Sequence, residues 1–250
     1  MKSWKTKNGY EVFKVSGCRS NVFLISSANG NIIIDTGKKS SFGRLRKNID
    51  SLKLDQQINY LILTHTHFDH CQNALTIRQQ ENCVLIMSEK ELIFVQNGYT
   101  PLPNGTFPIA RFISDFGRII GRPKFGYSPF TPDMIIGEEF DLSDDGFNIK
   151  IISTYGHSPG SISIIIDNEI AVVGDAMFGT YNKNIFPPFA DDIPGMIDSW
   201  GKLLKTNCRL YLPGHGKEIK RELLQLEYYK YAKKYNIIQT RQKDKRQEEK

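Results

Sequence analysis

All five histidines of this 250-residue chain lie in three short motifs, and each motif follows a strand-like apolar run. The first motif, THTHFDH over residues 64–70, holds three of them, and the other two stand in GHSPG and PGHG. A fourth apolar run, IAVVGD over residues 170–175, ends in a carboxylate. This placement indicates a fold that brings several strand ends together around metal. The candidate ligands are His65, His67, Asp69, His70, His157, Asp175 and His215.

The spacing within the first motif suits metal binding. In an extended His-x-His the side chains alternate, so both imidazoles of His65 and His67 point to one side. Imidazole and carboxylate groups suit zinc or another borderline divalent metal, which takes about four ligands. Since five imidazoles and two carboxylates exceed one ion's needs, we predict two ions that share Asp175. Such a pair can hold a hydroxide between its members near neutral pH.

The four motifs resemble those of the metallo-β-lactamase superfamily of metallohydrolases, from about residue 12 to residue 215. This resemblance implies that the first metal is held by His65, His67 and His157. It implies that the second metal is held by Asp69, His70 and His215, with Asp175 as the bridge. We assign catalytic roles to Asp69 and Asp175. In the same family pattern Asp35, within IDTG at residues 34–37, does not bind metal itself but is expected to support a metal ligand.

The order of apolar runs predicts an α/β chain, arranged as a four-layer αββα sandwich with the site at one edge between the sheets. We expect one domain over residues 1–235, interrupted by an insertion at about 97–132, and a charged, flexible tail at 236–250. Helices are predicted at 40–52, 72–80, 88–95, 196–205 and 218–235. Strands are predicted at 12–15, 21–26, 31–34, 60–63, 84–87, 149–153, 161–166, 170–173 and 210–212.

The segment 97–132 is rich in proline, glycine and aromatic residues, and no element is assigned to it. Long irregular segments in compact domains are usually functional. We interpret the segment as a lid or a wall of the substrate pocket whose aromatic residues hold an apolar part of the substrate, with a dimer contact or a small satellite core as the alternatives. A second aromatic cluster, FPPF at residues 186–189, either lines the same cleft or stiffens a loop.

Composition narrows the cellular setting. The four cysteines lack the spacing of paired cysteines, residues 1–7 lack an apolar signal core, and no run is long enough to span a membrane. We therefore expect a cytoplasmic protein with no membrane partner. The net charge of +6 is modest, so a nucleic-acid partner is not expected, and a homodimer stays open.

Positions at which this sequence differs from particular family members narrow the set of activities it can have. His67 stands where oxygen-reducing diiron relatives carry glutamate, and Asp175 stands where many true β-lactamases carry cysteine. Phe178 replaces a tyrosine of the acyl-homoserine lactonases, while GTYN at 179–182 lacks the basic signature of the hydroxyacylglutathione hydrolases. We therefore predict a hydrolase of a small-molecule thioester, ester or lactone, with two zinc ions per chain and with iron or manganese as alternatives.

Two other activities on the same scaffold remain open. One is a mononuclear iron oxidoreductase that resembles the sulfur dioxygenases, and the other is a phosphodiesterase or RNA-processing nuclease. The nuclease would need an arm that grips RNA, for which the basic aromatic segment 111–127 is the candidate. No general acid is assigned, although Tyr155 and Tyr181 could donate a proton.

Overall fold

The structure is a computed structural model that describes residues 1–237, so most of the predicted tail, from position 238 onward, lies outside the described residues. Residues 1–237 contain thirteen strands and eight α-helices. The strands are β1 (Lys2–Lys5), β2 (Glu11–Ser16), β3 (Val22–Ser27), β4 (Gly30–Ile34), β5 (Ile58–Ile62), β6 (Val84–Ser88), β7 (Met134–Ile136), β8 (Glu139–Asp141), β9 (Ile149–Ser153), β10 (Ile162–Ile166), β11 (Ile170–Gly174), β12 (Leu210–Pro213) and β13 (Ile219–Lys220). The α-helices are α1 (Phe42–Asp50), α2 (Phe68–Cys71), α3 (Ala74–Glu81), α4 (Leu92–Asn97), α5 (Pro108–Ile120), α6 (Arg122–Phe125), α7 (Ile193–Leu204) and α8 (Arg221–Lys234).

The strands form two sheets. The first sheet follows chain order from β1 to β7, and the second has the order β13-β12-β11-β10-β9-β8. Strands β4 to β7 pair in parallel, as do β11 and β12. Parallel neighbours end at the same edge of their sheet, so the segments that follow them meet there.

Three apolar clusters separate the layers. Between the sheets, Ile34 and Ile62 of the first pack with Ile164 and Val172 of the second. The outer face of the first sheet is covered by α1, α3 and α4, and that of the second by α7 and α8. These layers confirm the predicted four-layer αββα sandwich. No helix within residues 1–237 combines the length and the apolarity needed to cross a bilayer.

Several elements were not predicted from the sequence. The strands β1, β7, β8 and β13 have two to four residues each, which is too short to show an alternating pattern. The structure also corrects the last predicted helix, which begins at Arg221 rather than Glu218 because β13 precedes it.

The segment 97–132 differs most from the sequence prediction, because it contains the 13-residue helix α5. Pro108 stands in its first turn and Gly121 follows its end with φ +54°, the usual positions of these residues around a helix. Gly117 interrupts the helical pattern in sequence, yet a Cβ there would collide with the side chain of Leu102. Close packing therefore accounts for this glycine.

Candidate metal centre

All seven predicted ligands converge at one edge of the sandwich. Each follows the carboxyl end of a strand: the first motif follows β5, His157 follows β9, Asp175 follows β11 and His215 follows β12. Six of the seven are buried, and His215 is partly exposed. The first sheet supplies four of these side chains and the second sheet supplies three.

The first group consists of His65, His67 and His157, whose ligand atoms lie within 4.8 Å of one another. His157 Nε2 faces His67 Nδ1 at 3.0 Å. Neutral ring nitrogens that face each other at this distance suit a common ion about 2 Å from each.

The second group consists of Asp69, His70 and His215, again with ligand atoms within 4.8 Å of one another. His215 Nε2 lies 3.7 Å from Asp69 Oδ2. The ring of Phe178 stacks on His215 with a centroid separation of 4.7 Å, so one face of this imidazole is covered by carbon.

Asp175 contacts both groups. Its Oδ2 lies 3.5 Å from His157 Nε2 and 3.2 Å from His215 Nε2. Its Oδ1 lies 3.4 Å from His70 Nε2. One carboxylate therefore faces members of both groups, as a shared ligand must.

The second nitrogen of each imidazole is held by an oxygen atom. His70 Nδ1 lies 2.8 Å from Asp35 Oδ2, and the same carboxylate accepts from the backbone N–H of Thr64 at 2.8 Å. These contacts fix the rings and leave one nitrogen of each turned inward. The other pairs are His65 Nδ1 with Thr64 Oγ1 at 3.0 Å, His67 Nε2 with the Pro101 carbonyl at 3.2 Å, His157 Nδ1 with the Phe189 carbonyl at 2.9 Å and His215 Nδ1 with the Arg19 carbonyl at 2.8 Å.

Three buried atoms of the cluster have no hydrogen-bond partner among residues 1–237, namely His65 Nε2, His70 Nε2 and Asp175 Oδ1. A buried polar atom without a partner costs free energy, so such atoms are rare in folded proteins. His65, His70 and Asp175 also form a third set with ligand atoms within 4.8 Å of one another, and this set links the two groups. The residues present therefore fit a divalent metal.

The electrostatics of the first ligand group favour the neutral imidazoles that bind metal. Burial lowers the pKa of His65 well below its usual range, and it lowers the pKa of His67 and of His157 to about 4. These three imidazoles are therefore neutral at pH 7 and carry lone pairs.

The pKa of Asp175 is also lowered, but by neighbouring histidines rather than by burial. Burial acts to raise the pKa of Asp175, but His215 and His70 outweigh it and hold that pKa well below its usual range. Burial likewise opposes charge on these two histidines, yet Asp175 raises the pKa of both. Asp175 is thus ionised and available to metal ions.

Glu91 is a fully buried carboxylate behind the first group that sequence analysis did not identify as part of the site. It accepts hydrogen bonds from the Thr66 backbone N–H and hydroxyl, from the Ser158 hydroxyl at 2.7 Å and from the Gly160 N–H at 2.9 Å. Its sequence signal, Ser88 followed three residues later by Glu91, predicts a reciprocal helix cap. Only Ser88 caps here, accepting from Lys90 N–H at 3.3 Å, because Glu91 turns toward the metal centre.

A cavity of about 430 Å³ opens above the cluster. Its floor contains both proposed catalytic carboxylates, and its walls are largely apolar and include one face of α5. Phe189 of the FPPF cluster lines this cavity, whereas Phe186 stacks on Tyr231 at a centroid separation of 4.3 Å, where both pack against the core under α7 and α8. The candidate proton donors Tyr155 and Tyr181 are not among the lining residues.

Comparison with known sequences places this architecture among metallohydrolases. The family model described as the metallo-beta-lactamase superfamily matches residues 15–215. A probable metallo-hydrolase of Methanocaldococcus jannaschii is 31% identical over 213 residues, which cover 84% of this chain and 90% of that protein. The hydroxyacylglutathione hydrolase GloC of Haemophilus influenzae is also 31% identical, over 82% of this chain and 90% of its own length.

Solved structures show the same fold at lower sequence identity. An archaeal metallo-beta-lactamase superfamily protein from Sulfolobus tokodaii matches with a TM-score of 0.61 at 18% identity, covering 90% of this chain and 86% of its own. BJP-1, a subclass B3 metallo-beta-lactamase of Bradyrhizobium japonicum, matches with a TM-score of 0.64 at 16% identity. That alignment covers 98% of this chain and 96% of the enzyme.

Proposed function

The chain belongs to the metallo-beta-lactamase superfamily, and from this membership we propose that it is a dinuclear zinc hydrolase of small-molecule thioesters, esters or lactones. Asp175 carries the proposal, because its Oδ2 lies within 3.5 Å of a ring nitrogen from each of the two ligand groups. A carboxylate so placed can serve two ions at once.

The donor set supports zinc. Imidazole and carboxylate groups are common zinc ligands, and this site offers five imidazoles and two carboxylates. A site for magnesium or calcium would consist almost entirely of oxygen ligands. When bound, two zinc ions supply an activated water and polarise the carbonyl that it attacks. His65, His67 and His157 would hold one ion, and Asp69, His70 and His215 the other, with Asp175 shared. Iron and manganese accept the same ligands, so the identity of the metal as zinc is itself proposed.

The cavity supports a thioester as the substrate. A thiol has a pKa of about 8.5, so a thiolate leaves with little help from an acid, whereas an alkoxide or an amine needs a proton. Neither Tyr155 nor Tyr181 lines the cavity. The relative from Haemophilus influenzae is named for a thioester substrate, which supports the same choice.

Metal content and turnover test the proposal together. We expect two zinc ions per chain in freshly purified protein, measured by plasma mass spectrometry, together with hydrolysis of a thioester or lactone panel. His67→Ala and Asp175→Ala should lose both metal and at least about a hundredfold in kcat/KM. Asp55→Asn, at an exposed loop position, is the matched control and should change neither.

Two outcomes would replace this function with one of its alternatives. One iron ion per chain, oxygen uptake and no hydrolysis would indicate a sulfur dioxygenase-like oxidoreductase. Cleavage of phosphodiesters together with salt-sensitive RNA binding would indicate a nuclease.

A further inference from the structure

The helix α5 (Pro108–Ile120) divides its apolar side chains between two directions. Phe112, Ile113, Phe116 and Ile120 line the cavity above the metal centre. Phe116 is three or four residues from each of the others, so the four form one broad helix face around it. Ile119, which is 82% exposed, does not line the cavity.

This cavity-facing surface is open to water. Phe112 is 73% exposed, Phe116 is 55% exposed and Ile113 is 49% exposed. The rings of Phe112 and Phe116 lie nearly parallel, 7° apart, with their centroids separated by 6.4 Å. A contiguous apolar surface in a cleft is typical of a binding site, since soluble proteins otherwise cover such surfaces.

The apolar wall begins directly beside the candidate ligands. Phe68 precedes Asp69 in the first motif, and its ring lies 4.8 Å from that of Phe125. Both rings line the cavity whose floor holds His157 and Asp175. A group that contacts this wall must therefore be attached close to the bond that reacts.

Charged groups on the wall are few. Among the cavity-lining residues, the cations other than histidine are Arg19 and Lys124. Arg19 pairs with Asp69 at 3.1 Å and lies over the Phe68 ring at 5.0 Å, so its charge is already matched. Lys124 lies over the Phe125 ring at 5.9 Å. The wall therefore favours a hydrocarbon chain over a polar group.

We propose that the substrate carries an extended apolar chain beside its scissile bond, and that the cavity face of α5 selects it. This inference rests on the proposed hydrolase function and names its substrate class: a thioester, ester or lactone with a hydrocarbon chain. The hydrocarbon chain of the substrate is attached either to the carbonyl carbon or to the leaving atom. In both cases α5 contacts the same apolar group.

Two substrate series test the inference by catalysis. One keeps the thiol constant and lengthens the acyl group from acetyl to decanoyl, and the other keeps an acetyl group and lengthens the thiol. In the series that lengthens the group bound by α5, kcat/KM should rise about fourfold per added methylene until the cavity is filled. Ile113→Ala should flatten that rise, whereas Ile119→Ala, the same change off the cavity, should not.

Binding of straight-chain carboxylates from acetate to decanoate tests the inference without catalysis. Titration calorimetry on the full chain as purified should show a Kd that falls with chain length in wild type and in Ile119→Ala but not in Ile113→Ala. A length-dependent Kd without turnover would show that α5 selects an apolar chain and would reject the hydrolase function separately. Turnover that does not depend on chain length in either series, together with a Kd that does not depend on chain length, would overturn the inference. It would also be overturned if sedimentation showed a dimer that Ile113→Ala and Ile119→Ala disrupt equally, because α5 would then be a dimer contact.

Discussion

The Glu91 carboxylate accepts hydrogen bonds from both the backbone N–H and the hydroxyl of Thr66, the residue between His65 and His67. The same carboxylate accepts from Ser158, next to His157. One buried side chain thus ties together the two loops that carry the first ligand group. Orientation of those histidines depends on a residue that is not in the ligand set.

Replacing Glu91 by Gln should therefore weaken metal binding. The amide keeps one acceptor oxygen but turns a donor toward groups that themselves donate, so the loops shift. We expect a loss of about ten- to hundredfold in zinc affinity, measured by competition with a chelator, in a chain that still folds. Glu89→Gln, at an exposed site two residues away, is the control. Equal affinity in both variants would contradict a positioning role.

Gly214 packs against the metal centre, and an added Cβ would collide with the Asp175 carboxylate and approach His70 Cε1 to 2.7 Å. Gly214→Ala should therefore displace two candidate ligands and lower the zinc content per chain, measured by plasma mass spectrometry. Gly43→Ala in α1 has nothing within 4 Å of the new Cβ and should bind zinc as wild type does. Full zinc occupancy in Gly214→Ala would show that the contact is relieved elsewhere.

Trp200 supports the turn after Asp175, because its indole N–H donates to the Ala176 carbonyl at 2.6 Å in the core. Trp200→Phe removes that donor and leaves a buried carbonyl without a partner. We expect the free energy of unfolding to fall by about 1–3 kcal/mol in urea denaturation. Trp4→Phe, at a partly buried site on β1, should cost less than about 1 kcal/mol. Similar losses in the two variants would argue against the hydrogen bond as the cause.

Zinc should stabilise the fold, since the ligand set is assembled only in the folded chain. At a hundredfold excess of free zinc over its Kd, the gain is about 2.7 kcal/mol for one site. Thermal unfolding should show a zinc-dependent rise in Tm that a chelator reverses and that Asp175→Ala reduces. A rise of the same size in Asp175→Ala would mean that zinc acts at another place.

The convergence of the seven candidate side chains and the layer order could be predicted from the sequence because both leave strong local signals. Apolar runs marked strands such as β9 and β11, and candidate ligands that directly follow such runs were expected to meet at one edge. The resemblance to the metallo-beta-lactamase superfamily, which the family match confirms, assigned the ligands to two groups. The structure brings all seven side chains together.

The parts that sequence analysis missed depend on contacts between distant segments. Glu91 has a local pattern that predicts a helix cap, but its actual partners are distant in sequence, such as Ser158, 67 residues later. The helix α5 was hidden because Gly117 and a high density of aromatic residues resemble a loop, while its Leu102 contact appears only in three dimensions. Local propensity cannot report either relationship.

The two ligand groups each draw on both sheets, which gives the chain a natural point of division. His65 and His67 come from the half before Gly137 and His157 from the half after it, and the second group is divided in the same way. A chain cut between β7 and β8 would leave neither fragment with a complete group. Metal uptake would then report reassembly, so this centre can serve as a sensor of whether two separately made halves have found each other.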